Sequence, residues 1–98
     1  MKPVCFHPEA ENEYATAAHY YAHLAPELGG RFYDEIERLL QDVRTQPDLF
    51  RLWSPPVRRH FSDVFPYAVL YVDQADCIRI VAIMHMNRRP DYWKSRLS

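Results

Sequence analysis

Apolar positions recur along this chain with two different periods. Val4, Cys5 and Phe6 make a short strand candidate, stopped at Pro8, which cannot donate to a ladder but suits the first turn of a helix. From there Ala10, Tyr14, Ala17, Ala18, Tyr21 and Ala25 return at three- and four-residue steps, the apolar stripe of an amphipathic helix. Glu9, Glu11 and Glu13 stand in its first turns, where carboxylates favour the positive end of the helix dipole. Pro26 interrupts the pattern, and Leu28, Phe32, Ile36, Leu39, Leu40 and Val43 begin a second stripe that ends before Pro47. Gly29 and Gly30, the chain's two glycines, fall early in this second helix, where each costs about 1 kcal/mol against alanine. Close packing or a loose first turn is expected there.

Beyond residue 56 the period shortens to two. Residues 48–56 read as a connection, with Ser54, Pro55 and Pro56 excluding regular structure and Trp53 anchoring it against the core. Strands are predicted over residues 57–61, 67–72 and 77–86, rich in β-branched and aromatic side chains, with Asp73, Gln74, Ala75 and Asp76 suited to a hairpin turn between the last two. In the last strand, Ile78, Ile80, Ala82 and Met84 share one face by alternation and Arg79, Val81, Ile83 and His85 share the other. That places Arg79 and His85 together and puts the strand in the middle of a sheet. The expected fold is α+β: a short N-terminal strand, an antiparallel two-helix hairpin, a three-stranded antiparallel meander completing one sheet, and a C-terminal tail. One domain spans residues 1–98.

Composition supports that reading. With 98 residues, 48% hydrophobic and 14% aromatic, the chain can close one core. No run approaches the roughly 18 apolar residues a membrane span needs, and Met1-Lys2-Pro3 does not open a signal peptide, so a cytoplasmic protein without membrane attachment is expected. Cys5 and Cys77 lack Cys-x-x-Cys spacing and are expected as two buried, reduced thiols. The net charge of −1 conceals an asymmetry: residues 1–50 hold four Lys and Arg against nine Asp and Glu, whereas residues 51–98 hold eight against four. Either the basic half faces an acidic partner or it pairs with the acidic helices.

The candidate functional residues are Arg58, Arg59, Arg79, His85, Arg88, Arg89, Tyr92 and Trp93. The concentration of arginines in one short stretch beside two aromatics suits a binding surface, as such combinations anchor interfaces. The bland alternatives are a hydrogen-bonded strand histidine, aromatics capping the core, and a solvated arginine rim. His19 and His23 stand four apart but without a third ligand, so a solvated face is expected and no metal site. No phosphate-binding glycine loop or nucleophile elbow is present in the sequence, and no cofactor is expected.

The run from Phe65-Pro66-Tyr67 through Ala68, Val69, Leu70 and Tyr71, preceded by Val57-Arg58-Arg59 and followed by His85, Arg88-Arg89-Pro90 and Tyr92-Trp93, resembles the RelE/ParE family of toxins from type II toxin–antitoxin systems. The resemblance covers nearly the whole chain, the paired-helix first half included. It implies a growth-inhibiting toxin associated with plasmid stabilisation and neutralised by a cognate antitoxin, whose disordered acidic or amphipathic segment orders across helices and sheet. In the family's RNA-cutting members an arginine usually follows the first aromatic of the strand that carries Ala68 here. The Phe65-Pro66-Tyr67 opening, His85 and the Arg89-Pro90-x-Tyr92-Trp93 ending instead resemble ParE-like members, which bind DNA gyrase.

The resemblance therefore implies a non-catalytic inhibitor with Arg79, His85, Arg88, Arg89, Tyr92 and Trp93 as target-binding residues. The alternatives are a ribosome-dependent messenger RNA endoribonuclease using Arg58, Arg59, Arg79 and His85, and a non-toxic antitoxin-binding module. A homodimer or a heterotetramer with the antitoxin is compatible with each. Removal of the chain beyond Met86 is expected to abolish toxicity while leaving the fold.

Overall fold

A computed structural model describes residues 1–97. β1 (Val4–Phe6) leads into α1 (Pro8–Leu24) and α2 (Pro26–Thr45), followed by β2 (Arg51–Ser54), β3 (Val57–Phe61), β4 (Tyr67–Asp73) and β5 (Ile78–His85), with a 3-10 turn (Lys94–Leu97) in the tail. The sheet runs in the order β1-β5-β4-β3-β2. β2 to β5 form an antiparallel meander, and β1 returns after the helices to pair parallel with β5. The α+β architecture read from the sequence is present.

Local chemistry explains the helical half. The Glu9 amide donates to His7 Nδ1 at 3.0 Å, which caps α1, and Pro8 occupies its first turn. Extended backbone at Ala25 ends α1 and starts α2, whose Pro26 again sits in the first turn. Gly29 is where the helices touch: a Cβ there would stand 2.5 Å from that of Ala22, whereas one at Gly30 would meet open space. Close packing, one of the two expectations for this pair, holds at Gly29.

The core divides into two layers across the sheet. Phe32, Ile36, Leu39 and Val43 of α2 and Ala10 and Ala17 of α1 bury against Val69, Tyr71, Ile78, Ile80 and Ile83. On the opposite face Val57, Leu70, Val81, Ala82 and Met84 are covered by Trp93 from the tail, with Trp53 and Tyr92 packed alongside.

Three sequence expectations are corrected. Residues 51–54 form a strand, not part of an irregular connection: Arg51 and Leu52 pair with Arg59 and Arg58, Trp53 packs on the outward layer, and the proline break is confined to the turn at Pro55 and Pro56. Second, strict alternation fails in β5. Leu70 faces Ala82 while Tyr71 faces Ile80, so Val81 is an extra residue, a β-bulge. Ile80 and Ile83 therefore share the helix-facing layer, and Arg79 and His85 lie on opposite faces.

The third correction concerns the cysteines, which are half-exposed and joined as a disulfide with Cα atoms 6.1 Å apart. Parallel pairing sets Cys5 opposite Arg79, which brings Cys77, two residues earlier and just before β5, within reach. That proximity belongs to the crossover topology and has no counterpart in the cysteine spacing.

Candidate functional site

β5 and the tail leaving it organise the candidate residues into two faces. On the helix side, a cleft of about 620 Å³ separates α1 from the end of the β4–β5 hairpin, with Thr16, Ala17, Tyr21, Tyr67, His85 and Arg88 in its walls. His85 stands edge-on to the Tyr67 ring, centroids 5.0 Å apart. The Asn87 amide donates to His85 Nδ1 at 3.0 Å. With Nδ1 engaged by that bond, Nε2 is the ring nitrogen left for another partner. Burial, followed by the neighbouring Tyr21 hydroxyl, pushes the Tyr67 phenol up.

Beyond Ile80 the open side of β5 has no neighbouring strand, because β1 ends at Phe6 and His7 donates the last ladder bond to the Ile80 carbonyl. Two side chains take over. Glu13 Oε1 accepts from the Ile83 amide at 3.0 Å, and Arg96 donates to the Val81 carbonyl at 3.0 Å, so edge groups beyond the end of β1 are satisfied. Arg96 also grips Glu13 with both terminal nitrogens, at 3.0 and 2.8 Å, and the Tyr92 hydroxyl donates to Glu13 Oε2 at 2.7 Å. The Glu13 bond raises the Arg96 guanidinium above its ordinary value; burial, then the Glu13 bond, does the same to the Tyr92 phenol. Arg88 lies over the Tyr92 ring at 3.9 Å.

The tail is thus built into the fold. Trp93 is fully buried, and its indole nitrogen donates to the Pro90 carbonyl at 2.8 Å. Cutting after Met86 would strip a core aromatic and Arg96, so the expectation that such a truncation leaves the fold is corrected. Arg88 and Arg89 are exposed on the turn, Tyr92 is half-buried, and Trp93 takes the core-capping place foreseen as its alternative.

On the outward face, Arg59 stacks between Trp53 and Phe61, its guanidinium carbon 4.5 and 4.6 Å from the ring centroids. Arg51 stands directly opposite it, and burial together with that like charge lowers Arg59 below the usual arginine value. Arg79 faces outward beside Val72. Arg58 points the other way and donates to the carbonyls of Phe50 and Asp48, at 2.8 and 3.3 Å.

Sequence reading passed over Glu13 and Arg96, and also a polar clamp between α2 and β3. There Arg38 binds Glu35 and Asp42, the Ser62 hydroxyl donates to Glu35 at 2.6 Å, and His60 Nε2 lies 2.8 Å from Asp42. The strand over residues 57–61 was legible in the sequence, but these partners were not. His19 and His23 are exposed, and the described residues contain no cluster of three metal-ligating side chains.

Chemically, the four nuclease candidates do not converge. Arg58 and His85 belong to the helix side of the sheet, Arg59 and Arg79 to the outward side. What the arrangement offers is a rim of arginines and aromatics for binding.

A family model described as the ParE toxin of type II toxin–antitoxin systems, parDE, matches residues 4–90. No curated protein matches the sequence. Among solved structures, a chain from the chromosomal ParDE TA system of P. aeruginosa superposes with a TM-score of 0.77 at 16% identity, over 89% of this chain and 98% of that one. At that identity the likeness concerns the fold.

Proposed function

The chain belongs to the ParE toxin family of type II toxin–antitoxin systems, and from that premise we propose that it inhibits bacterial growth by binding DNA gyrase and is neutralised by a cognate antitoxin. The observation that carries the binding reading over the nuclease one is the bulge at Val81. It turns His85 to the helix side of β5 while Arg79 stays on the outward side. Acid–base cleavage needs the proton-transfer group and the phosphorane-binding cations around one reacting phosphate. The sheet stands between His85 and both Arg59 and Arg79, Arg58 on the His85 side is committed to the Phe50 and Asp48 carbonyls, and Ala68, fully buried on β4, brings no cation to that strand.

The contact surface for the target is the exposed turn after β5, with His85, Arg88 and Arg89 presented and Tyr92 and Trp93 holding the turn in place. Stacked arginine and aromatic groups of this kind anchor interfaces. The antitoxin's ordering segment lies across the same cleft, where an acidic residue would meet Arg88.

The test is pulse-labelling of DNA and protein synthesis in the minutes after the chain is induced alone in a bacterial host, followed by supercoiling assays with purified gyrase. DNA synthesis should fall first, and the purified chain should inhibit supercoiling; Arg88→Glu with Arg89→Glu should abolish both effects while leaving the fold intact. An earlier fall in protein synthesis, with codon-linked messenger RNA cuts that vanish in His85→Ala, would overturn the reading in favour of the nuclease. A soluble, folded and harmless chain would favour an antitoxin-binding module without toxicity.

A further inference from the structure

Eight cations lie in residues 51–98, and the structure shows how few of them the acidic helices neutralise. Of these, among the described residues, only Arg96 reaches a helix carboxylate, that of Glu13. Arg89 stands 3.7 Å from Asp91 with both side chains exposed. Among the described residues, Arg51, Arg59, Arg79 and Lys94 have no carboxylate within ion-pair distance. All four belong to the outward side of the molecule, away from α1 and α2. The strands present no Asp or Glu on that face.

The arrangement there is costly for the free protein. Arg51 and Arg59 are directly opposed across β2 and β3, and like charges in that relation are unfavourable. Arg59 Nε is buried without a hydrogen-bond partner, although the Trp53 and Phe61 rings hold the guanidinium in one orientation. The buried Nε is out of an anion's reach, but the two rings fix the guanidinium whose terminal nitrogens have no carboxylate partner, and beside the exposed Arg51 they make a preorganised anion receptor. Arg79 lies two strands across and two residues along from Arg59, about 12 Å away by ordinary sheet spacings. Lys94 and Arg89 border a cleft of about 550 Å³ whose walls include Trp53 and Trp93.

We propose that this outward face, through Arg51, Arg59, Arg79 and Lys94, binds the phosphodiester backbone of a nucleic acid without cutting it. A phosphodiester chain carries a charge at every residue and so can meet cations about 5 and about 12 Å apart at once. An acidic peptide would need a carboxylate at each matching position. The site lies on the opposite side of the sheet from His85, so it adds to the gyrase-directed surface and does not depend on it.

The test is fluorescence anisotropy of the purified chain with a short labelled DNA duplex and with single-stranded RNA of the same length, between about 50 and about 200 mM salt. With four phosphate contacts, binding should weaken about 100-fold over that range, a log–log slope of about −3 to −4. The double variant Arg51→Glu, Lys94→Glu changes two exposed side chains and should keep the far-UV spectrum. Its affinity should fall at least about 10-fold, with a slope shallower by about 2. Arg79→Gln should reduce the slope by about 1. Preference for duplex or RNA identifies the source of the phosphodiester, either one supporting the assignment. Absence of binding to both, affinity unchanged in the double variant, or equal competition by polyglutamate would each overturn it.

Discussion

Glu13→Ala tests whether the tail is a structural latch. In the native chain one carboxylate serves the Ile83 amide, the Tyr92 hydroxyl and both terminal nitrogens of Arg96. The Arg96 and Glu13 side chains are 10% and 16% exposed, so the pair is well shielded from water. Deleting one partner of a buried ion pair costs about 3–5 kcal/mol, because the surviving charge is left without its counterion. Glu13 lines an open cleft, so water can take the place of the deleted carboxylate, which favours the lower end, about 3 kcal/mol.

For a domain of this length that is a large part of a total of about 5–15 kcal/mol, and lowers Tm by about 12 °C or more. Glu13→Gln keeps an acceptor for Ile83 but not the charge, and should cost about 1–2 kcal/mol. Urea unfolding followed by tryptophan fluorescence and by far-UV circular dichroism gives both numbers. If Glu13→Ala costs less than about 1 kcal/mol, the value of an exposed ion pair, the shielded-latch argument is refuted.

Three other substitutions probe separate parts of the fold. Gly29→Ala would drive a methyl into Ala22 and should destabilise by about 1–3 kcal/mol, whereas Gly30→Ala has room and should stabilise by up to about 1 kcal/mol; opposite signs in thermal melts check the pair. Trp93→Ala should cost about 3–5 kcal/mol in urea unfolding and leave less soluble protein, since it empties the outward core. The Arg38 hydrogen bond, aided by Ser62, holds the Glu35 carboxyl below its ordinary value of 4.5. With the folded value depressed, its contribution is fully present above that ordinary value and is lost as pH falls through the folded one. Urea unfolding at a series of pH values should show an acid limb below about pH 4.5 that is shallower in Glu35→Gln.

The limits of sequence reading follow from which interactions are local. Both helix stripes were legible because residues three and four apart must share a face whatever else the chain does, and Phe32, Ile36, Leu39 and Val43 are all buried as that spacing requires. Runs of β-branched and aromatic residues located β4 and β5, and alternation assigned the faces of β5. It failed at Val81, because a bulge is a property of two paired strands and neither β4 nor β5 alone encodes it. One inserted residue reversed the face of everything after it and separated Arg79 from His85.

The disulfide and the Glu13–Arg96 pair were illegible on the same grounds. Each joins the first strand or first helix to the far end of the chain, through a parallel crossover that fixes no spacing in the sequence. Charge is the intermediate case. The surplus of cations after residue 50 could be counted directly, but whether it faced the helices or a partner depended on where the carboxylates were already committed. Glu35 and Asp42 are held by Arg38, with His60 also on Asp42, and Glu13 by Arg96. With those helix acids engaged on the inner side of the sheet, Arg51, Arg59, Arg79 and Lys94 are left for an anionic partner, and the basic half of the sequence becomes a directional surface.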